Sequence, residues 1–204
     1  MPEERTLDAV AARLSARPPR ILDGDVRLRA AVSLVLCEAA EDLQLLMIRR
    51  AEHADDRWSG HIAFPGGRLD DTDPGERAAA EREAREELGL ALSGARRLGR
   101  LDDLGGSSES VRVSAFVYGL ESPPPLRPNH EVHSAFWLEL GTLQDPARHL
   151  ERRFEYLDGW LDLPALRVLD AEGPVLWGLS YRFLELLMER IGRPIPPMPW
   201  RDDL

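Results

Sequence analysis

Leu7, Val10, Ala11 and Leu14 recur at helical spacing, which predicts a short N-terminal helix over about residues 6–16, ended by Pro18-Pro19. Two strand-like apolar runs follow, Leu28–Cys37 and Leu43–Ile48; the polar turn Glu38–Asp42 between them predicts a hairpin. The arginine-bearing connection Arg49–Ser59 leads to a short apolar piece, His61–Phe64, and then to Pro65-Gly66-Gly67. Asp73-Pro74-Gly75-Glu76 has the form of a helix start, with Asp73 as N-cap and proline at the first helical position. The helix runs to Leu88 and stops at Gly89. Arg96–Leu101, Val111–Leu120 and Ser134–Leu140 predict further strands, broken by the loop Ser122-Pro123-Pro124-Pro125 and by Pro128. Leu179, Phe183, Leu186, Leu187 and Ile191 form the apolar stripe of a helix from about Trp177 to Arg190, and the proline-rich tail 193–204 is expected to be irregular. With no repeat and one helix lodged between hairpins, the pattern predicts an α/β fold with a mixed β-sheet between helices, built as one domain over residues 1–204.

Charge narrows the chemistry. The chain has 26 basic and 36 acidic side chains and a net charge of −10, and all of the basic ones are arginine. Without lysine, Schiff-base catalysis, Ser-Lys dyads, pyridoxal phosphate attachment and the Walker-type phosphate loop are excluded. An arginine-only chain is also what GC-rich coding produces. The acidity argues against a nucleic-acid partner, which would want a basic face to displace counterions. Cys37 is the single cysteine, so neither an internal disulfide nor a Cys-rich zinc site can form, and a reducing cytoplasm fits. The first residues lack the layout of a secretory signal, and no apolar stretch approaches the roughly 18–20 residues of a membrane helix.

The informative stretch is Ala78-Ala79-Ala80-Glu81-Arg82-Glu83-Ala84-Arg85-Glu86-Glu87-Leu88-Gly89-Leu90. On a helix Glu83, Glu86 and Glu87 stand at i, i+3 and i+4, and their carboxylates converge on one face. Such a segment is often a solvated helix face with internal ion pairs. The alternative is a site for a hard divalent cation, Mg²⁺ or Mn²⁺, which takes carboxylate oxygens and keeps water positions open for a phosphate-bearing substrate. Gly66 and Gly67 precede the helix at a distance that lets a tight loop fold back over the carboxylate face.

Arg82-Glu83-Ala84-Arg85-Glu86-Glu87-Leu88-Gly89-Leu90 resembles the second half of the Nudix box at every fixed position. The first half departs by one inserted residue: counting forward from Gly67 the first glutamate of the box falls on Asp73, and counting back from Arg82 it falls on Pro74. A loop of this greater length resembles the coenzyme A pyrophosphatase branch of the superfamily. The upstream signature of that branch is matched by Gly60-His61-Ile62-Ala63-Phe64-Pro65-Gly66-Gly67, and loosely by Leu46 and Arg50-Ala51. Its middle is imperfect, since Ile48 stands for a threonine, one residue is inserted between Ala51 and Gly60, and its inner arginine falls on Asp56 with Arg57 beside it.

The resemblance implies a Nudix-type α/β/α sandwich and metal-assisted hydrolysis of a phosphoanhydride, with Glu83, Glu86 and Glu87 as ligands of Mg²⁺ or Mn²⁺. Arg82 would orient these carboxylates, and Glu86 or Glu131 would take the proton of the attacking water. Glu109 is a weaker competitor for the distant acidic role, and His130 and His133 beside Glu131 are a weak zinc signal. Arg50, Arg57, Arg68, Gly66 and Gly67 are the substrate-binding candidates, with Arg49 and His61 nearby; guanidinium forks suit phosphate oxygens. Coenzyme A would give 3′,5′-ADP and 4′-phosphopantetheine. Pyrophosphatases acting on ADP-ribose, dinucleotides or oxidised nucleotides are the nearest alternatives, and a non-catalytic nucleotide-sensing module is the alternative of another class. The NADH-type branch is disfavoured because its zinc cysteines have no counterpart. The apolar C-terminal helix and the proline-rich tail are compatible with a homodimer.

Overall fold

The computed structural model describes residues 5–24, 26–53, 58–105, 111–156, 159–169 and 173–198. The chain begins with α1 (Leu7–Ser15), capped by the Thr6 side chain accepting from the Ala9 N–H, and continues into the hairpin β1 (Leu28–Glu38) and β2 (Leu43–Arg50). Two short strands, β3 (Ile62–Ala63) and β4 (Gly66–Arg68), precede α2 (Glu76–Leu88). Then come β5 (Arg96–Arg100), β6 (Leu104–Gly105), β7 (Val111–Leu120) and β8 (Val132–Glu139), followed by the one-turn α3 (Leu140–Leu143). A second sheet, β9 (His149–Tyr156), β10 (Gly159–Arg167) and β11 (Val175–Trp177), leads into α4 (Gly178–Arg190).

The eight-stranded sheet is mixed. β1 runs parallel to β7, from Leu28 opposite Val111 to Cys37 opposite Leu120, and antiparallel to β2 and β4. β2 also pairs antiparallel with β3 and β8. The neighbours of β1 on both faces explain why Leu34 to Cys37 is a continuous apolar run rather than an alternating one. Leu34 and Leu36 pack with Leu7, Val10 and Leu14 of α1 and Phe183, Leu184 and Leu187 of α4, whereas Val35 packs with Ala84 and Leu88 of α2. The result is the α/β/α sandwich with a mixed sheet between helices.

Two expectations are corrected. The central helix begins at Glu76 with Gly75 as its N-cap and without a side-chain cap. Asp73 does not cap it, because its carboxylate is taken by the Arg82 guanidinium and the Asp70 N–H. A bidentate charge-assisted pair outcompetes one backbone N–H for the same oxygens. Second, the hairpin β9–β10 and strand β11 stand where the pattern predicted no element. The C-terminus of α2 is as expected: Gly89 takes φ +65°, and its N–H bonds the carbonyl of Arg85.

Candidate active site

Ala79, Ala80 and Ala84 are fully buried, and Ala79 and Ala80 meet Ala31 of β1. These small side chains let α2 lie close on the sheet, which carries Glu87 beneath β4. Glu87 is 1% exposed, and the Gly66 N–H donates to its Oε2 at 3.0 Å. The approach requires glycine: Gly66 has φ +154°, and a Cβ there would overlap the Ala31 carbonyl and lie 2.7 Å from Val32 Cα. Burial pushes the Glu87 carboxyl up to about 8. The Gly66 N–H opposes the rise, Glu83 adds to it, Arg50 opposes it and Glu131 adds to it. Burial also raises Glu83, against its bond to Arg82, with Glu86 and Glu131 contributing repulsion. The fold therefore makes Glu83, Glu87 and Glu131 electrostatic neighbours, although Glu131 is distant in sequence.

Arg82 organises the rim. Nη1 donates to Glu83 Oε1 and Glu86 Oε2, both at 2.9 Å, while Nη2 donates to the Arg68 carbonyl and to Asp73, both at 3.0 Å. Nε also donates to Asp73, whose side chain is 5% exposed. One guanidinium thus ties the helix to β4 and to the loop that carries the inserted residue. This use of all three nitrogens in a planar fork is one that lysine could not reproduce.

Gly67 stacks against Glu83; a Cβ there would lie 2.6 Å from Glu83 Cδ. Because Arg82 holds that carboxylate, Gly67→Ala must displace it. We expect the apparent affinity for Mg²⁺, read from activity against metal concentration, to fall about 10–100-fold with little change in melting temperature. An unchanged metal dependence would show that the Glu83 position is not important.

Of the remaining candidates, Arg50 ends β2, its charge bears on Glu87, and its N–H donates to the His61 carbonyl at 2.9 Å. Arg68 contributes its carbonyl to Arg82 while its own side chain is exposed. Arg49 pairs with Glu52 at 3.0 Å. Glu131 and Glu86 are both about half exposed, and His130 Nε2 stands 4.0 Å from Glu131. Arg57, Asp56 and Glu109 lie outside the described residues. Asp73 as the anchor of Arg82 is a functional residue that the capping pattern concealed. The ring cluster of Trp58, His61, Phe154 and Trp177 was invisible for another reason: its members come from three separate stretches of chain.

Among the described residues, no three His, Cys, Asp or Glu side chains already form a metal-binding group. The donor chemistry nevertheless fits a hard divalent cation. Arg82 uses only Oε1 of Glu83 and Oε2 of Glu86, and burial, with repulsion from Glu83 and Glu131, raises the proton affinity of Glu87, a strain that a cation beside it would relieve.

Residues 27–158 match the family model of the NUDIX domain. The chain is 38% identical over 110 residues to an uncharacterized protein of Schizosaccharomyces pombe, of which it spans 33%. It is 35% identical over 141 residues to the human mitochondrial coenzyme A diphosphatase NUDT8, covering 68% of this chain and 56% of that one. With the uncharacterized Nudix hydrolase NudL of Escherichia coli it shares 30% identity over 190 residues, 92% of this chain and 95% of the relative. The crystal structure of a MutT/nudix family protein from Enterococcus faecalis superposes with a TM-score of 0.56 at 15% identity, over 92% of this chain and 70% of that one, which shows a common fold. Together with the glutamate helix folded under Gly66, these matches place the chain in the Nudix family.

Proposed function

We propose that the chain hydrolyses the phosphoanhydride of coenzyme A or its derivatives, giving 3′,5′-ADP and 4′-phosphopantetheine, with residues 1–204 acting as one catalytic domain. The observation that carries the reading is the buried Glu87 under Gly66, flanked by Glu83 and Glu131, beside the Phe64-Pro65-Gly66-Gly67 segment of the coenzyme A signature. The likeness to a coenzyme A diphosphatase supports the substrate class.

Glu83, Glu86 and Glu87 would hold Mg²⁺ or Mn²⁺. When bound, the cation neutralises diphosphate oxygens and acidifies water. Arg82 fixes Glu83 and Glu86 in place. The Glu131 carboxylate takes the proton as water oxygen bonds to phosphorus and the bridging P–O bond breaks. We favour it over Glu86 because Arg82 already occupies the latter. Arg50, Arg57 and Arg68 are the candidates for phosphate contacts, arginine being the only cationic side chain besides protonated histidine.

A substrate panel with Mg²⁺ and Mn²⁺ tests the reading: coenzyme A, acyl-coenzyme A, ADP-ribose, NADH, diadenosine polyphosphates and nucleoside triphosphates. Coenzyme A should be cleaved to the two named products and chelation should stop the reaction. Rapid turnover of ADP-ribose with inert coenzyme A would overturn the substrate assignment, and binding without turnover of any compound would favour the sensing module.

A further inference from the structure

Trp58 is 44% exposed, yet it is not a loose surface side chain. Its ring meets His61 edge-on, with centroids 5.8 Å apart and planes at 67°, and it leans on Trp177 at 5.8 Å and 46°. His61 in turn meets Trp177 at 5.2 Å and 70°, and Trp177 stacks flat on Phe154 at 3.8 Å and 11°. Trp177 is only 8% exposed, so the inner rings belong to the core that joins the second sheet to β3, and Trp58 is the outermost ring of the stack. A large apolar ring held in place and left in contact with water is a preorganised surface: covering it gains contact area at little further cost in side-chain freedom.

Backbone pairing fixes where that surface lies. The Ala51 N–H donates to the Glu131 carbonyl, the Arg50 N–H to the His61 carbonyl, and the His61 N–H to the Trp58 carbonyl. Glu131, Arg50-Ala51 and His61 are thus successive rungs across the sheet, which puts the backbone of His61, the residue that braces Trp58, roughly 10 Å from the backbone of Glu131. A nucleoside whose phosphates sit at the glutamates reaches across such a span.

We propose that Trp58, braced by His61 and Trp177, is the stacking surface for the purine ring of the substrate. The assignment rests on the nucleotide-hydrolase reading above, and no residue of that reading supplies a base contact. A flat heteroaromatic ring matches an exposed indole better than the flexible pantetheine arm does, because stacking works through the π-face that every base presents.

The experiment compares Trp58→Ala and Trp58→Phe with Trp160→Phe, a control at another exposed tryptophan, 64% exposed on β10 and outside the ring cluster. In Trp58→Ala, KM for the best adenine-containing substrate should rise about tenfold with kcat within about twofold of wild type. Trp58→Phe should recover most of the loss, and the control should match wild type. Separately, titrating chelator-treated wild type with 3′,5′-ADP should quench tryptophan fluorescence, and Trp58→Ala should lose that quenching. An unchanged KM in Trp58→Ala, or quenching by 4′-phosphopantetheine and not by 3′,5′-ADP, would overturn the proposal. If ADP-ribose proves to be the substrate, the KM shift is expected there, so the stacking proposal stands while the coenzyme A assignment falls. If nothing is hydrolysed, the quenching result decides alone.

Discussion

Replacing Glu87 by glutamine should lower kcat with Mg²⁺ on the order of 10³-fold while leaving the fold intact. Glutamine keeps the volume, and its carbonyl oxygen can accept the Gly66 N–H as Glu87 Oε2 does. What it loses is the buried negative charge that a cation would need. The same change has a second signature without metal. The Glu87 carboxyl is raised from 4.5 to about 8 in the folded chain, so between those values the folded state binds the proton more tightly than the unfolded state. Stability from this group is full below the unfolded value and is lost as pH rises through the folded one. With chelator present, wild type should therefore lose on the order of a few kcal/mol, or roughly 10 °C of melting temperature, from about pH 6 to about pH 9. Glu87→Gln should show a much flatter profile, and Mg²⁺ should restore melting temperature at high pH in wild type only. Wild-type kcat in the variant would remove Glu87 from the metal site.

The main sheet was legible in the sequence because its strands are long and apolar: β1, β2, β7 and β8 form within two residues of the positions that hydrophobic runs indicate. The second sheet was not. β9 is rich in charged residues, Glu151, Arg152, Arg153 and Glu155, and its inward positions Leu150 and Phe154 pack against Leu163 and Ala165 of β10 and Val175 and Trp177 of β11. Alternation in Leu161 and Leu163, preceded in the sequence by Asp158-Gly159, is the signal that could have revealed the hairpin. β3, β4 and β6 are too short to have any period.

The site divides in the same way. Helical spacing alone sets Glu83, Glu86 and Glu87 on one face, but it cannot say that Glu87 is buried, since that depends on three alanines bringing α2 onto β1 and on Gly66 closing over it. The capping pattern at Asp73 pointed to the wrong partner because local rules do not weigh an arginine nine residues away, which here supplies two nitrogens to one carboxylate. Glu131 gains its place through the pairing of β2 with β8 and through the bond of the Asn129 N–H to the Glu87 carbonyl, long-range contacts with no local trace.

Asp42→Ala is expected to lower stability by about 3–5 kcal/mol, on the order of 10 °C in melting temperature for a chain of this length. Asp42 lies in the β1–β2 turn and Arg193 just beyond α4, and both are nearly buried. Arg193 Nη1 and Nη2 donate to the two Asp42 oxygens at 2.6 Å each, and the N–H groups of Leu43 and Gly141 donate to the same carboxylate at 2.8 Å. Burial alone would raise the Asp42 carboxyl, but the bonds and charge of Arg193 overcome it and hold the group below its ordinary value. The sign follows: this contribution is present above the ordinary aspartate range and is lost as pH falls below it. Alanine would leave a buried guanidinium uncompensated and two backbone N–H groups without an acceptor, whereas Asp42→Asn keeps an acceptor and should cost less. Removing both partners in Asp42→Ala/Arg193→Ala should cost less than the sum of the single changes, because the uncompensated charge disappears with them. Strictly additive losses in thermal or denaturant unfolding would mean that the two side chains act independently. The pair is remote in function from the glutamates, so below the melting transition Asp42→Ala should keep the metal dependence of the wild type. It ties the end of α4 to the turn of the first hairpin, and so holds the helix that begins directly after Trp177 in the aromatic cluster.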